Sequence, residues 1–170
     1  MLFRSLLNAA TFSKVIDLIF AEKPGSIQEL GLVGHANQEA FSMAGKVTTY
    51  PANVVLAKEG IIHPVSINAN LAAITKVRDR FAEDGKIILY ACHAGAGQQL
   101  LDALKDAFGV CACGFANEIV WCFHHTEKKI LSRGRTLYDA NGLGGGYPSC
   151  DGDSFTANIR AWKPDTTSCP

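Results

Sequence analysis

Residues 86–97 read Lys-Ile-Ile-Leu-Tyr-Ala-Cys-His-Ala-Gly-Ala-Gly. The apolar run predicts a buried β-strand over Lys86–Ala91, and the glycines after it predict a turn into a helix. Cys92 then stands at the C-terminal end of a central strand, where open α/β sheets hold their ligands. The positive N-terminal end of the following helix favours a thiolate. Cys92 is therefore a candidate nucleophile.

Strand and helix patterns alternate on both sides of this stretch. Apolar residues three and four positions apart predict helices, and short apolar runs bounded by glycine predict strands. This rhythm is typical of a mostly parallel sheet with right-handed crossovers. The predicted elements are helices over Ser5–Glu22, Ser66–Glu83 and Gly97–Phe108, and strands over Leu30–His35, Lys86–Ala91, Val110–Ala116 and Ile119–Phe123, with Gly85 ending the second helix and Gly109 the third.

The composition is that of one globular domain. Of 170 residues, 48% are hydrophobic and 19% charged, which allows a sizeable core. We expect a single α/β domain over residues 1–170, with an N-terminal helix within residues 1–25 and a loop-rich part over residues 126–170. Sixteen basic and sixteen acidic residues cancel, so the charge gives no reason to expect a nucleic acid or a membrane as partner.

The apolar N-terminus does not predict a membrane span. Lys14 and Asp17 interrupt its pattern, and no run approaches the ~20 apolar residues that cross a bilayer. The same segment is weak as a signal peptide. We expect a cytoplasmic protein, or one secreted without a cleaved signal peptide.

The six cysteines permit disulfides, although a chain of this length needs none for stability. Cys111 and Cys113 would share one face of a strand, which can indicate a metal site. No second close pair follows at zinc-ribbon spacing, although His124 and His125 lie nearby. The favoured interpretation treats Cys111, Cys113 and Cys122 as small buried hydrophobes, and we expect neither a metal nor another cofactor.

A histidine stands at the end of a second predicted strand. The strand Leu30–His35 ends in Gly34-His35, so a parallel and adjacent arrangement would bring His35 and Cys92 to the same sheet edge. A histidine beside a cysteine can take the thiol proton and later protonate the leaving group. Gly34 leaves room for the backbone there, and N–H groups near Cys92 could bind an oxyanion.

This order of motifs resembles the caspase-like (clan CD) cysteine peptidases, and among them bacterial domains of the CHAT type. The features that carry the resemblance are Gly34-His35 at one strand end and Tyr90-Ala91-Cys92 at a later one, followed by a glycine-bearing turn and a helix rich in Ala and Leu. The resemblance covers about Leu30 to Phe123. It implies a three-layer α/β/α sandwich and an endopeptidase that cleaves protein or peptide substrates through a thioester, such as a bacterial effector or regulatory protease.

The resemblance also implies roles for individual residues. His35 would be the catalytic base and Cys92 the nucleophile, with an oxyanion hole from the Cys92 amide and an amide near Gly34 or Ala36. The family usually has glycine directly after the histidine, and Ala36 departs from that pattern.

Each candidate also has a plainer interpretation. A cysteine at a strand end is often only part of the core. His93 is a turn residue that could instead line the cleft with Gly95, and His63 is interpreted as structural.

Two alternatives stay open. Cys92 could pair with His124 or His125, as in amidases and transglutaminase-like enzymes whose histidine follows the cysteine. Such folds precede the cysteine with a loop and not an apolar strand, which favours His35. The other alternative is an inactive caspase-like interaction module, to which Ala36 lends weight.

Overall fold

The computed structural model describes residues 9, 11–43, 59–116, 119–124, 129–134 and 166–167. Their elements, in chain order, are α1 (Phe12–Phe20), β1 (Ile27–Val33), β2 (His35–Ala36), β3 (Phe41–Ser42), β4 (Ile61–Ile62), α2 (Pro64–Ala69), α3 (Leu71–Thr75), a 3-10 turn (Arg78–Arg80), β5 (Phe81–Tyr90), α4 (Gln98–Phe108), β6 (Cys111–Gly114), β7 (Ile119–His124), β8 (Lys129–Gly134) and β9 (Thr166–Thr167).

The main sheet has the strand order β1-β5-β6-β9. β5 lies between β1 and β6 and pairs with both in parallel, whereas β9 pairs with β6 in antiparallel orientation. β2, β3 and β4 form a small antiparallel sheet, and β7 pairs with β8. The chain therefore has a mixed α/β fold around a parallel three-stranded unit, as the alternating pattern predicts.

One face of the main sheet carries the large core. Ile87 and Leu89 of β5 belong to a single buried cluster that includes side chains of all four described helices. α4 contributes Leu100, Leu101, Leu104 and Phe108, each at most 1% exposed. Burying each of these leucines is worth about 1.5–3 kcal/mol before chain entropy is counted. Gly109 ends α4 in a left-handed conformation with φ of 75°, as predicted.

The opposite face of the sheet carries a smaller cluster. Because side chains alternate along a strand, Ile88 points away from Ile87 and Leu89. Ile88, Cys113 and Phe115 are buried together, and Tyr90 and Cys92 pack against them. Cys92 therefore lies on the face opposite the described helices.

The prediction of one helix over Ser66–Glu83 is wrong. The segment forms α2, α3 and the 3-10 turn, and β5 already begins at Phe81. Gly85 does not end a helix, because it is buried within β5, where a Cβ would lie 2.9 Å from the carbonyl oxygens of Ile27 and Ala82. Glycine here marks a close approach of β1 and β5.

The start of α2 is fixed by His63, which has the structural role predicted for it. Its Nδ1 accepts the N–H of Val65 at 3.1 Å, and Ser66 Oγ accepts the N–H of His63 at 2.9 Å. These two bonds form a capping box.

The predicted N-terminal helix is shorter than expected. Thr11 is extended, and its Oγ1 accepts the N–H of Lys14, so α1 begins at Phe12 and the helix predicted from Ser5 is interrupted. Residues 1–8 lie outside the described residues. Within the described part of the chain, no helix has the length and apolar character to cross a bilayer.

Candidate functional site

The two strands whose ends carry His35 and Cys92 are direct neighbours. β1 and β5 pair in parallel with Val33 opposite Tyr90, and the Gly34 N–H donates to the Tyr90 carbonyl oxygen at 3.4 Å. His35 and Cys92 each follow the end of one of these strands by two residues. The segments that carry His35 and Cys92 thus leave the main sheet from adjacent, parallel strands.

The chain leaves the main sheet at Gly34, earlier than predicted. β1 ends at Val33, and the predicted strand end His35 and loop residue Ala36 instead form β2, which pairs with β3. A Cβ at Gly34 would collide with the Ser42 carbonyl oxygen. Glycine is therefore needed for the chain to turn into this hairpin, in which the His35 side chain is exposed.

A turn stabilised by the Asn37 side chain closes the hairpin that carries His35. Asn37 Oδ1 accepts the N–H groups of Glu39 at 2.9 Å and Ala40 at 2.8 Å, and the Asn37 N–H donates to the Ala40 carbonyl at 3.0 Å. Asparagine favours such turns because its short amide substitutes for a backbone carbonyl. The hairpin is therefore held by local bonds.

The turn after Cys92 contains a strained residue. His93 has a φ of 56°, a left-handed conformation that costs a non-glycine residue on the order of 1 kcal/mol. Its Nδ1 lies 3.1 Å from the Ala116 carbonyl oxygen, which can only accept, so Nδ1 carries the proton in this bond. The Gly95 N–H donates to the Phe115 carbonyl at 2.9 Å. Both bonds link the turn to the two residues that directly follow β6.

Two glycines let this turn approach its neighbours. Gly95 is buried, and a Cβ on it would lie 2.6 Å from the carbonyl carbon of Gly114. A Cβ on Gly97 would overlap the Gln38 carbonyl oxygen in the hairpin of His35. The segment after Cys92 thus lies directly against the segment after His35. This geometry gives Gly95 a packing role, and a role in a cleft stays a prediction.

Cys92, Cys111 and Cys113, which lie in or next to the main sheet, differ in exposure and in disulfide bonding. Cys92 is half-buried, Cys113 is 8% exposed, and neither belongs to a disulfide. The interpretation as a buried hydrophobe is confirmed for Cys113 and wrong for Cys111, which is disulfide-bonded. The side chain of Cys122 lies outside the described residues.

Tyr90, two residues before Cys92, belongs to a polar group beside the site. Its hydroxyl donates to Glu29 Oε1 at 3.1 Å, and Lys86 Nζ lies 3.6 Å from Glu29 Oε2. Its ring packs against Phe115, with ring centroids 6.0 Å apart. Burial raises the pKa of Tyr90 above its ordinary value, and the Glu29 carboxylate raises it further.

This shift predicts a loss of stability at alkaline pH. Because the pKa of Tyr90 is raised on folding, the unfolded chain releases the phenolic proton first. The contribution to stability is fully present below pH ~10, the ordinary tyrosine pKa, and is lost as the pH rises above it. Urea unfolding between pH 8 and 11 should show a smaller decline for Tyr90→Phe than for the wild type. Identical declines would contradict the buried Tyr90–Glu29 contact.

The alternative histidines lie elsewhere in the chain. His124 ends β7, whose partner strand is β8, and His125 lies outside the described residues. The pairing of either histidine with Cys92 stays a prediction.

The described residues contain no group of three or more His, Cys, Asp or Glu side chains that could hold a metal ion. Compared with known proteins, the chain has no significant match to a family model, a curated protein or a solved structure.

Proposed function

We propose that the chain is a caspase-like cysteine endopeptidase in which His35 and Cys92 act as a dyad. The observation that carries the proposal is the parallel pairing of β1 with β5, because His35 and Cys92 each follow the end of one of these adjacent strands by two residues. The contact of Gly97 with Gln38 adds support, because it joins the two segments that follow them.

The dyad would act by covalent catalysis. His35 takes the proton of the Cys92 thiol, and the sulfur attacks the peptide carbonyl carbon to form a tetrahedral oxyanion. The protonated His35 then gives its proton to the leaving amine, and a thioester to Cys92 results. His35 next removes a proton from water, which attacks the thioester and releases the carboxylic acid product and the thiol.

Two backbone N–H groups are proposed to bind the oxyanion, those of Cys92 and Ala36. The Gly34 N–H already donates to Tyr90 within the sheet, which leaves Ala36 as the donor on the histidine side. Ala36 lies in the extended strand β2, a backbone conformation that any L-residue adopts. The alanine after His35 is therefore compatible with the proposed role.

The proposed fold is a three-layer α/β/α sandwich. The described helices cover one face of the main sheet, and the burial of Ile88, Cys113 and Phe115 on the other face supports a second covering layer. His93 is half-buried in the turn directly after Cys92 and is proposed to border the substrate cleft.

A non-enzymatic role is the second candidate. Cys92 packs against the cluster of Ile88, Cys113 and Phe115, as a structural thiol would. In this case the caspase-like fold would serve as an interaction module.

Cleavage of a mixed peptide library, followed by mass spectrometry, tests the endopeptidase proposal. The wild type should cleave a subset of peptides, and Cys92→Ala should reduce cleavage to background because the nucleophile is gone. Cys113→Ala is the matched control, since it removes a thiol from the same cluster and should leave cleavage intact. Equal cleavage by wild type and Cys92→Ala would contradict the proposal, and no cleavage by either would favour the interaction module.

A further inference from the structure

The disulfide of Cys111 has a limited choice of partners. Cys92 and Cys113 are not in disulfides, which leaves Cys122, Cys150 and Cys169. Cys150 and Cys169 lie outside the described residues. The choice among the three partners therefore depends on the residue pairing of the described strands.

The register of β6 with β9 favours one of them. The two strands are antiparallel, with Gly114 opposite Thr166 and Cys113 opposite Thr167. From these two pairs we infer a continued register, in which position 169 would be the partner of Cys111. Facing residues of antiparallel strands have Cα atoms ~4.5–5.5 Å apart, within the range that a disulfide spans. Cys122, by contrast, faces Leu131 across the β7–β8 pair.

We propose that Cys111 and Cys169 form a disulfide that joins β6 to β9, and that the protein matures in an oxidising compartment. Disulfides of this kind persist outside the reducing cytosol. Of the two localisations expected from the sequence, the pairing favours secretion. It does not depend on the peptidase proposal.

The bond would form by thiol–disulfide exchange with a disulfide donor, either an oxidised dithiol protein or glutathione disulfide. The Cys111 thiolate attacks the donor's S–S bond and displaces one donor thiolate, leaving a mixed disulfide. The Cys169 thiolate then attacks the Cys111 sulfur and displaces the second donor thiolate. The two cysteines lose two electrons and two protons, and the donor is reduced to two thiols.

The bond has a consequence for the candidate site. Phe115 and Ala116, the two residues that directly follow β6, accept the hydrogen bonds from Gly95 and His93 that hold the turn after Cys92. β9 pairs with β6 through only two described residue pairs. A covalent link two residues further along would keep β9 on the strand that anchors this turn.

Peptide mapping of the full-length protein without reductant tests the pairing directly. Trypsin cleavage after Lys105, Lys128 and Arg160 gives one peptide with Cys111, Cys113 and Cys122, and another whose single cysteine is Cys169. The two peptides should be recovered cross-linked, with fragmentation locating the bond at Cys111, and should separate on reduction. A link to the peptide of Cys150, or an internal bond to Cys122, would overturn the proposal.

Two variants and a trapping experiment extend this test. Cys169→Ser should make Cys111 open to alkylation and lower Tm by roughly 5–15 °C, whereas Cys150→Ser should leave the cross-link in place. Thiols should also be alkylated in the cells that make the protein, before lysis. Recovery of the cross-link supports maturation in an oxidising compartment, and an alkylated Cys111 overturns it.

Discussion

Replacing His35 with alanine is expected to slow peptide cleavage by about 10²–10⁴-fold, the range typical of a lost general base. The effect should fall on catalysis and not on folding, because the His35 side chain is exposed at the start of β2. Measurement of kcat/KM on a peptide that the wild type cleaves, together with urea unfolding of both proteins, separates the two effects.

Glu39→Ala is the matched control for His35→Ala, because Glu39 is also exposed and lies in the same hairpin. It should cleave at the wild-type rate. Undiminished cleavage by His35→Ala would contradict the dyad. If His124→Ala or His125→Ala lost activity instead, the alternative pairing with Cys92 would take its place.

Gly97→Ala is expected to disturb both stability and the site. The added Cβ would overlap the Gln38 carbonyl oxygen, which is backbone and cannot rotate aside. Overpacking of this kind costs roughly 1–3 kcal/mol in the free energy of unfolding. Because the displaced hairpin carries His35, peptide cleavage should also fall well below the wild-type rate.

Gly25→Ala separates these two effects. Gly25 has a φ of 67° and open space around its Cβ position, so alanine there should cost about 1–2 kcal/mol through backbone strain alone. It should lose stability and retain cleavage. Full stability and activity of Gly97→Ala would show that the Gly97–Gln38 contact does not hold the two segments together.

Local patterns encode much of the fold. The apolar run before Cys92 lies in β5, and the spacing of Leu100, Leu101 and Leu104 identifies the buried face of α4. These signals are local, because strand and helix periods are read from neighbouring residues. The parallel sheet follows from their alternation.

The wrong prediction of one helix over Ser66–Glu83 shows what local patterns cannot predict. Ile74, Val77 and Phe81 have helical spacing and all are buried, yet Phe81 reaches the core from a strand and Leu71 is exposed. β5 extends back to Phe81 because it pairs with Ile27, more than fifty residues earlier. Such a pairing leaves no periodic signal in either segment.

The candidate site likewise combines features that the sequence predicts with features that depend on contacts between distant segments. The sequence identifies His35 and Cys92 as residues close to the ends of two strands, but the adjacency of those strands, β1 and β5, is a property of the sheet. The Gly97–Gln38 contact and the disulfide of Cys111 also join segments that are distant in sequence. The Cys-x-Cys spacing alone gave no sign that one of the two would be oxidised.

Alkylation of Cys92 in the native protein is the most direct test of the proposed dyad. Wild type and His35→Ala are treated with iodoacetamide at pH 7, and each cysteine is followed by peptide mapping. In the wild type, Cys92 should react about 10-fold or more faster than Cys113, and His35→Ala should remove most of that difference. Equal rates for Cys92 and Cys113 in the wild type, or a Cys92 rate unchanged by His35→Ala, would contradict a thiol activated by His35.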